Sequence, residues 1–121
     1  MNIETALKEA MAVEGAIGVA LVDYDSGMSL GSLGGGPELD MDVAAAGNTE
    51  LVRAKVRTLE SLGIEDSIED VLVTLQRQYH LIRILGSGHG KLFLYLVLNR
   101  ERANLALARH HLRRIEAELS V

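Results

Sequence analysis

The segment GSGHGK, residues 86 to 91, carries the residue types of a phosphate-binding loop, with three glycines and a closing lysine. A Walker A loop also needs a glycine five residues before its Gly-Lys pair, and a Ser or Thr after it that opens a helix. Here Leu85 and Leu92 occupy those two positions, and an apolar run with a period of two follows. The segment therefore indicates a turn between two strands. Nucleotide hydrolysis that depends on Lys91 is the alternative.

The remaining candidates for chemistry are histidines and paired acids. His110 and His111 are adjacent and would point about 100° apart on a helix, so they do not form the i, i+4 pair that can share a metal. His80 falls in a predicted strand and matters only if it is buried. The acidic pairs at 65–66 and 69–70 have no base near them in sequence and indicate solvated surface. We therefore expect no catalytic residue, no cofactor, no metal ligand and no enzymatic activity.

The bulk composition narrows the classes of partner. A length of 121 residues suits a single domain spanning 1–121, and 48% hydrophobic residues suffice for a core. The net charge of −5 argues against nucleic-acid binding, which needs a basic surface. The absence of cysteine fits a reducing compartment. The longest apolar run, LFLYLVL, is far shorter than the roughly 20 residues of a membrane-spanning helix. We expect a cytoplasmic protein without membrane insertion.

Hydrophobic periodicity predicts the element order helix, strand, strand, helix, three strands, helix. The strands at 16–23 and 92–98 are apolar or small on both faces, so they should be neighbours in the middle of a sheet. Helices must then cover both faces of that sheet. In the central helix, Asp40 or Asp42 is expected to cap the start and Gly63 to mark the end.

The central helix has an unusually wide apolar band. One face carries large and small apolar residues, and a second set widens the band with mostly small ones. The first set is Met41, Ala45, Val52, Val56 and Leu59, and the second is Ala44, Ala46, Gly47 and Leu51. Small residues allow another backbone to approach closely, so this helix is a candidate for contact with a partner.

With these elements in place, the chain resembles the roadblock/dynein light chain family, in its bacterial branch. The resemblance covers nearly the whole chain and depends on three stretches. They are AIGVALVDYDSGMSL at 16–30, DMDVAAAGNTEL at 40–51, and the three strands within 67–99. The family's strand, D-x-x-G turn and Ala-rich helix start match Asp23 or Asp25, Gly27 and residues 44–46.

The resemblance implies an α+β sandwich of profilin-like build. It implies a five-stranded antiparallel sheet of order 2-1-5-4-3, with the central helix on one face and the two terminal helices on the other. It also implies a homodimer in which the third strands, expected at 68–76, pair and the central helices pack side by side. The interface residues implied are Ala45, Val52, Val56, Leu59, Ile68, Val71, Val73 and Leu75.

The resemblance further implies a non-enzymatic scaffold or regulator in bacterial signalling that binds a small Ras-like GTPase. Arg53 and Arg57 on the central helix are possible contacts with that partner. The alternative is a small-molecule sensor domain of profilin-like or PAS-like build. A sensor needs a pocket between sheet and helix with a few convergent polar groups, and the Leu- and Val-rich strand faces offer few of them.

Overall fold

The computed structural model describes residues 1–86 and 88–121. Within them the order of elements is the predicted one. The elements are α1 (Ile3–Met11), β1 (Ala16–Asp23), β2 (Met28–Gly34), α2 (Met41–Leu62), β3 (Asp70–Thr74), β4 (Gln78–Ile84), β5 (Leu92–Asn99) and α3 (Leu105–Glu118). The turn predicted at 86–91 does connect two strands, but Ser87 within it lies outside the described residues.

The strands form one antiparallel sheet of order β2-β1-β5-β4-β3, which confirms the predicted α+β class and strand order. β5 is central, and its first seven residues are all buried. This placement follows from the sequence, because a strand with no polar face is stable only where layers cover both of its sides. β3 lies at an edge of the sheet, also as predicted.

The helices cover the two faces as expected. α1 and α3 pack on the face that carries Leu94 and Leu96, and α2 packs on the face that carries Phe93 and Tyr95. None of the helices in the described part of the chain combines the length and the apolar character that a membrane span requires.

Two element boundaries differ from the prediction. α1 ends at Met11 rather than at Gly15, and the chain turns through the intervening residues before Gly15 adopts a positive φ of 86°. β3 is shorter than the expected 68–76, because the Leu75 amide already donates to the Gln78 carbonyl at 2.9 Å and starts the turn to β4. For α2 the predicted boundaries are confirmed, with Asp40 as the N-cap and Gly63 left-handed at the C-cap.

Candidate functional site

Helix α2 buries one face against the sheet. Met41, Ala45, Thr49 and Val52 are all buried there, and the Thr49 hydroxyl donates to the Ala45 carbonyl at 2.7 Å. Ala45 and Val52, which the sequence assigned to a dimer interface, are only 1% and 0% exposed within the protomer. Their side chains therefore have no surface left for a second molecule. The apolar band of α2 is wide, and only one part of it packs on the sheet.

Three other residues assigned to the interface lie around the C-terminal end of α2. Val56, Leu59 and Ile68 are half-buried and line a crevice of about 690 Å³. The crevice also contains the ion-paired Arg83 and Glu116. These apolar side chains are thus already partly covered by their own protomer.

The flank of α2 that the sheet does not cover carries mostly apolar side chains, several of them small. We call Val43, Gly47, Leu51, Ala54 and Thr58 the exposed flank, since each is solvent-exposed. Val43 is 68% exposed and Leu51 is 36% exposed. A β-carbon at Gly47 would meet no atom of the described residues within 4 Å. A glycine inside a helix costs about 1 kcal/mol relative to alanine, and no contact found in the protomer requires it.

The open edge of β3 lies beside this flank. β3 pairs with β4 on one side, and no other strand of the described chain pairs with its far side. Val71 and Val73 are half-buried on the α2 side of the sheet. A groove of about 350 Å³ joins Val71 to Leu51, Ala54, Lys55 and Thr58. The exposed flank and the β3 edge therefore form one continuous surface, and Leu75, 41% exposed, lies just beyond the end of β3.

Ion pairs fix β3 and β4 to the helix on the opposite face. Arg109 contacts both carboxylate oxygens of Asp70, at 2.9 Å and 3.3 Å. Arg83 Nε donates to Glu116 Oε1 at 2.7 Å. Asp70 was interpreted from the sequence as solvated, and this is wrong. Its partner is 39 residues away in the chain, beyond the reach of a local pattern.

A polar cluster lies beneath α2, on the face of the sheet that α2 covers. His80 Nδ1 and the Tyr95 hydroxyl oxygen are 2.9 Å apart, and His80 Nε2 and Gln78 Oε1 are also 2.9 Å apart. Burial lowers the pKa of His80. Burial raises the pKa of Tyr95, and a hydrogen bond from Asn48 on α2 acts in the opposite direction.

This cluster borders a cavity of about 430 Å³ that opens toward the start of α2. The sequence indicated only that His80 matters if buried, and the side chain is half-buried. The period of two placed Gln78 and His80 on one strand face. The approach of Tyr95 and Asn48 depends on the β4–β5 register and on the position of α2, so sequence reasoning missed the cluster.

No group of three His, Asp or Glu side chains within residues 1–86 and 88–121 is arranged to hold a metal ion. His110 and His111 adjoin each other on α3, with ring centroids 5.8 Å apart.

No protein-family model and no curated protein matches the chain. Solved structures do match. The roadblock/LC7 domain from Streptomyces avermitilis is 18% identical and has a TM-score of 0.80, with coverage of 97% of this chain and 93% of that chain. This chain has the roadblock/LC7 fold. MglB from Myxococcus xanthus has the same fold, at 21% identity and a TM-score of 0.75, covering 94% of this chain and 85% of that one. An MglB described as having a tetrameric arrangement is 21% identical and has a TM-score of 0.77, with coverage of 93% of this chain and 81% of that chain.

In this roadblock fold the two arginines of α2 have different surroundings. Arg53 Nε donates to the Tyr24 carbonyl at 2.7 Å, and its Nη2 donates to the Asp25 carbonyl. Arg53 thus ties α2 to the turn between β1 and β2. Arg57 is exposed, and its guanidinium is accessible to a partner.

Replacement of Arg53 with alanine should lower the free energy of unfolding by about 2 kcal/mol, because two carbonyls lose a charged donor. The measurement is urea unfolding followed by circular dichroism. Arg57→Ala is the matched control, one turn further along α2, and should change stability by less than about 0.5 kcal/mol. Equal effects of the two substitutions would contradict the tie between Arg53 and the turn.

Lys91, the residue on which the phosphate-binding alternative depended, lies near the same turn. Its Nζ is 3.7 Å from Asp25 Oδ1, and both side chains are largely exposed. The strand β5 begins directly after it, so the helix start that would hold phosphate in a Walker A loop is replaced by a strand.

Proposed function

We propose that this protein is a non-enzymatic homodimeric scaffold or regulator that binds a small Ras-like GTPase through paired α2 helices and the adjoining sheet. The observation that carries the proposal is the continuous surface formed by the exposed flank of α2 and the open edge of β3. The proposal treats residues 1–121 as one cytoplasmic domain of this regulator.

The β3 edge supports self-association. An unpaired edge strand exposes a row of backbone donors and acceptors, and proteins cover it, charge it or pair it. The stretch from Val71 to Leu75 carries no charge. An antiparallel pairing of β3 with β3 of a second copy would satisfy those groups and obey two-fold symmetry, in which each copy contributes the same surface.

The exposed flank supports the same arrangement from the helix side. Two-fold pairing of β3 would bring the α2 helices of both copies close together. Gly47 and Ala54 lie seven residues apart and share one face, so they would allow close contact between helix backbones. Leu51 would then supply apolar area that is solvent-exposed in the single chain.

The proposed interface thus differs in part from the one inferred from the sequence. Gly47, Leu51 and Ala54 replace Ala45 and Val52, which the protomer uses for its own core. Val71 and Val73 remain proposed members on β3. The other four residues remain peripheral candidates, and these are Val56, Leu59, Ile68 and Leu75.

The GTPase partner is proposed from the family resemblance and from accessible chemistry on α2. Arg57 remains a proposed partner contact because its charge is accessible, whereas Arg53 is engaged with the β1–β2 turn. Paired helices present two copies of such a contact side by side, which suits a scaffold that holds a partner without performing chemistry itself.

Light scattering at tens of micromolar protein tests the dimer, with an expected mass of twice 13.1 kDa. A purified Ras-like GTPase from the same organism, loaded with GDP or with a non-hydrolysable GTP analogue, tests the partner by co-elution. The expected result is a complex that Arg57→Glu weakens and the exposed Lys8→Glu on α1 leaves intact. A monodisperse monomer would contradict the dimer, and a dimer that binds neither loaded form would contradict the partner.

The second candidate is a small-molecule sensor, and one observation favours it. The cavity beside His80, Tyr95 and Asn48 lies between helix and sheet and has convergent polar groups of the kind that bind ligands. Native mass spectrometry of freshly purified protein would detect a retained molecule. A bare mass of 13.1 kDa per chain would leave the scaffold as the better account.

A further inference from the structure

The polar cluster under α2 joins β4 and β5 through hydrogen bonds, and Asn48 of α2 lines the same cavity. If Gln78 Oε1 accepts from His80 Nε2–H, then His80 Nδ1 must accept the proton of the Tyr95 hydroxyl. Asn48 of α2 lines the cavity beside both rings and acts to lower the pKa of Tyr95, against the effect of burial. The contact between Tyr95 and His80 therefore depends on a neutral imidazole, whereas Gln78 can accept from His80 in either charge state.

A proton taken from solvent by His80 would reverse one hydrogen bond of this cluster. The imidazolium donates at both nitrogens, so Tyr95 could no longer donate to Nδ1. The Tyr95 hydroxyl proton would then need another acceptor within the cavity that Tyr95 and His80 share with Asn48 of α2.

Asn48 adjoins the surface proposed for dimer formation. It directly follows Gly47, and both residues line the cavity together with Val43 and Ala44. A second helix packed along the exposed flank would close the mouth of that cavity. His80 would then lose its remaining access to water, which makes the protonated form more costly in the dimer than in the monomer.

The groups facing His80 have mixed effects on its charge. Val73 of β3 and Val97 of β5 lie opposite it in the sheet and contribute no charge. Glu38 and Asp40, in the segment before α2, line the same cavity and favour the imidazolium. Lys55 of α2, in the next groove along the helix, disfavours it. Burial is the dominant influence, and it lowers the pKa of His80.

We propose that the Tyr95–His80–Gln78 cluster, in the cavity that the exposed flank of α2 borders, makes dimerisation depend on pH, so that protonation of His80 favours the monomer. The inference rests on the proposed dimer and names its regulation. By linkage, if the dimer binds a proton less tightly than the monomer, acidification shifts the equilibrium toward the monomer. Each pKa unit of difference weakens dimerisation about tenfold per protomer, or about 100-fold for two.

The sign of this effect restricts the change in dimerisation to a defined range of pH. A buried histidine with a lowered pKa is neutral at pH 8, and the dimer should be at full strength there. Weakening should begin as the pH falls through the pKa of His80 in the monomer, which burial holds below the ordinary value of about 6.5, and should level off below its still lower pKa in the dimer. The same sign applies to folding, because the unfolded chain also protonates more readily.

The test is the dimer dissociation constant between pH 8 and pH 5.5, measured by analytical ultracentrifugation wherever circular dichroism confirms a folded chain. The dissociation constant of the wild-type dimer should rise about tenfold or more between pH 8 and pH 5.5. His80→Gln, which keeps an uncharged amide, should lose this dependence. The double variant His110→Gln, His111→Gln on α3 is the matched control and should keep it.

A second measurement avoids any failure of the His80 variant to fold. The ring Cε1–H resonance of His80 in the wild type should titrate at a lower pH in concentrated, dimeric samples than in dilute, monomeric ones. If the dissociation constant of the dimer did not change with pH, and the titration of His80 did not change with protein concentration, the proposed pH dependence would be overturned and the proposed function would remain intact. A monomer at every pH would overturn both.

Discussion

The substitution Leu96→Ala is expected to lower the free energy of unfolding by about 3 to 4 kcal/mol. Leu96 lies in the middle of β5, opposite Val19 of β1 and Leu81 of β4, and it is fully buried. Truncation removes buried methyl groups and leaves a cavity between rigid strands. The neighbouring strands can close little of this cavity, because their hydrogen-bond registers fix their spacing.

Urea unfolding monitored by circular dichroism measures this loss, and Leu107→Ala serves as its control. Leu107 is 54% exposed on α3, so the same change of side chain should alter stability by less than about 0.5 kcal/mol. If Leu96→Ala lost no more than the control, β5 would not be the central strand, and the sheet order on which the β3 edge depends would be in error.

Part of the fold was predictable from signals that are local in the sequence, and the full strand order was implied by the family resemblance. Residues 92–98 have no polar face at a period of two, so β5 had to be central, and the observed order agrees. Asp40 or Asp42 before the helix and Gly63 after it have chemistry that suits helix ends, and the observed caps are Asp40 and Gly63. These features depend on neighbouring residues, and a single sequence contains all the information that they need.

The rotation of α2 was not predictable in the same way. Its apolar residues surround more than half of the helix, so the pattern does not say which part meets the sheet and which part meets another molecule. The sheet takes Ala45 and Val52, and Gly47 and Ala54 are left outside. Local periodicity gives the amphipathic band, whereas the part of the band that the protomer buries depends on packing in three dimensions.

Contacts between distant residues were equally hidden. Arg109 and Asp70 are 39 residues apart, and His80 and Tyr95 are 15 apart on different strands. Each polar group has an unremarkable sequence environment and acquires its role only when strand register brings a partner within hydrogen-bond distance. The sequence therefore sufficed to propose an interaction surface by element, at α2 and β3, but it could not tell which residues of α2 the protomer leaves exposed.

The substitution Ala54→Glu is expected to weaken the proposed dimer by about 100-fold or more. Ala54 lines the groove between α2 and Val71 of β3, and it is exposed in the single chain. In a two-fold dimer the change occurs twice, so two carboxylates would be desolvated close to each other. Burial of an unpaired charge is strongly unfavourable, and a 100-fold change corresponds to about 2.7 kcal/mol. Analytical ultracentrifugation at pH 8 measures the dissociation constant.

Ala46→Glu provides the matched control for this experiment. Ala46 is also an exposed alanine inside α2, so the loss of helix propensity and the added charge are the same. It lies two turns before Arg53 and shares the flank that faces the β1–β2 turn, away from β3. We expect Ala46→Glu to dimerise as the wild type does. If both glutamates weakened the dimer equally, general charge repulsion would explain the result, and the α2 flank beside β3 would not be the contact.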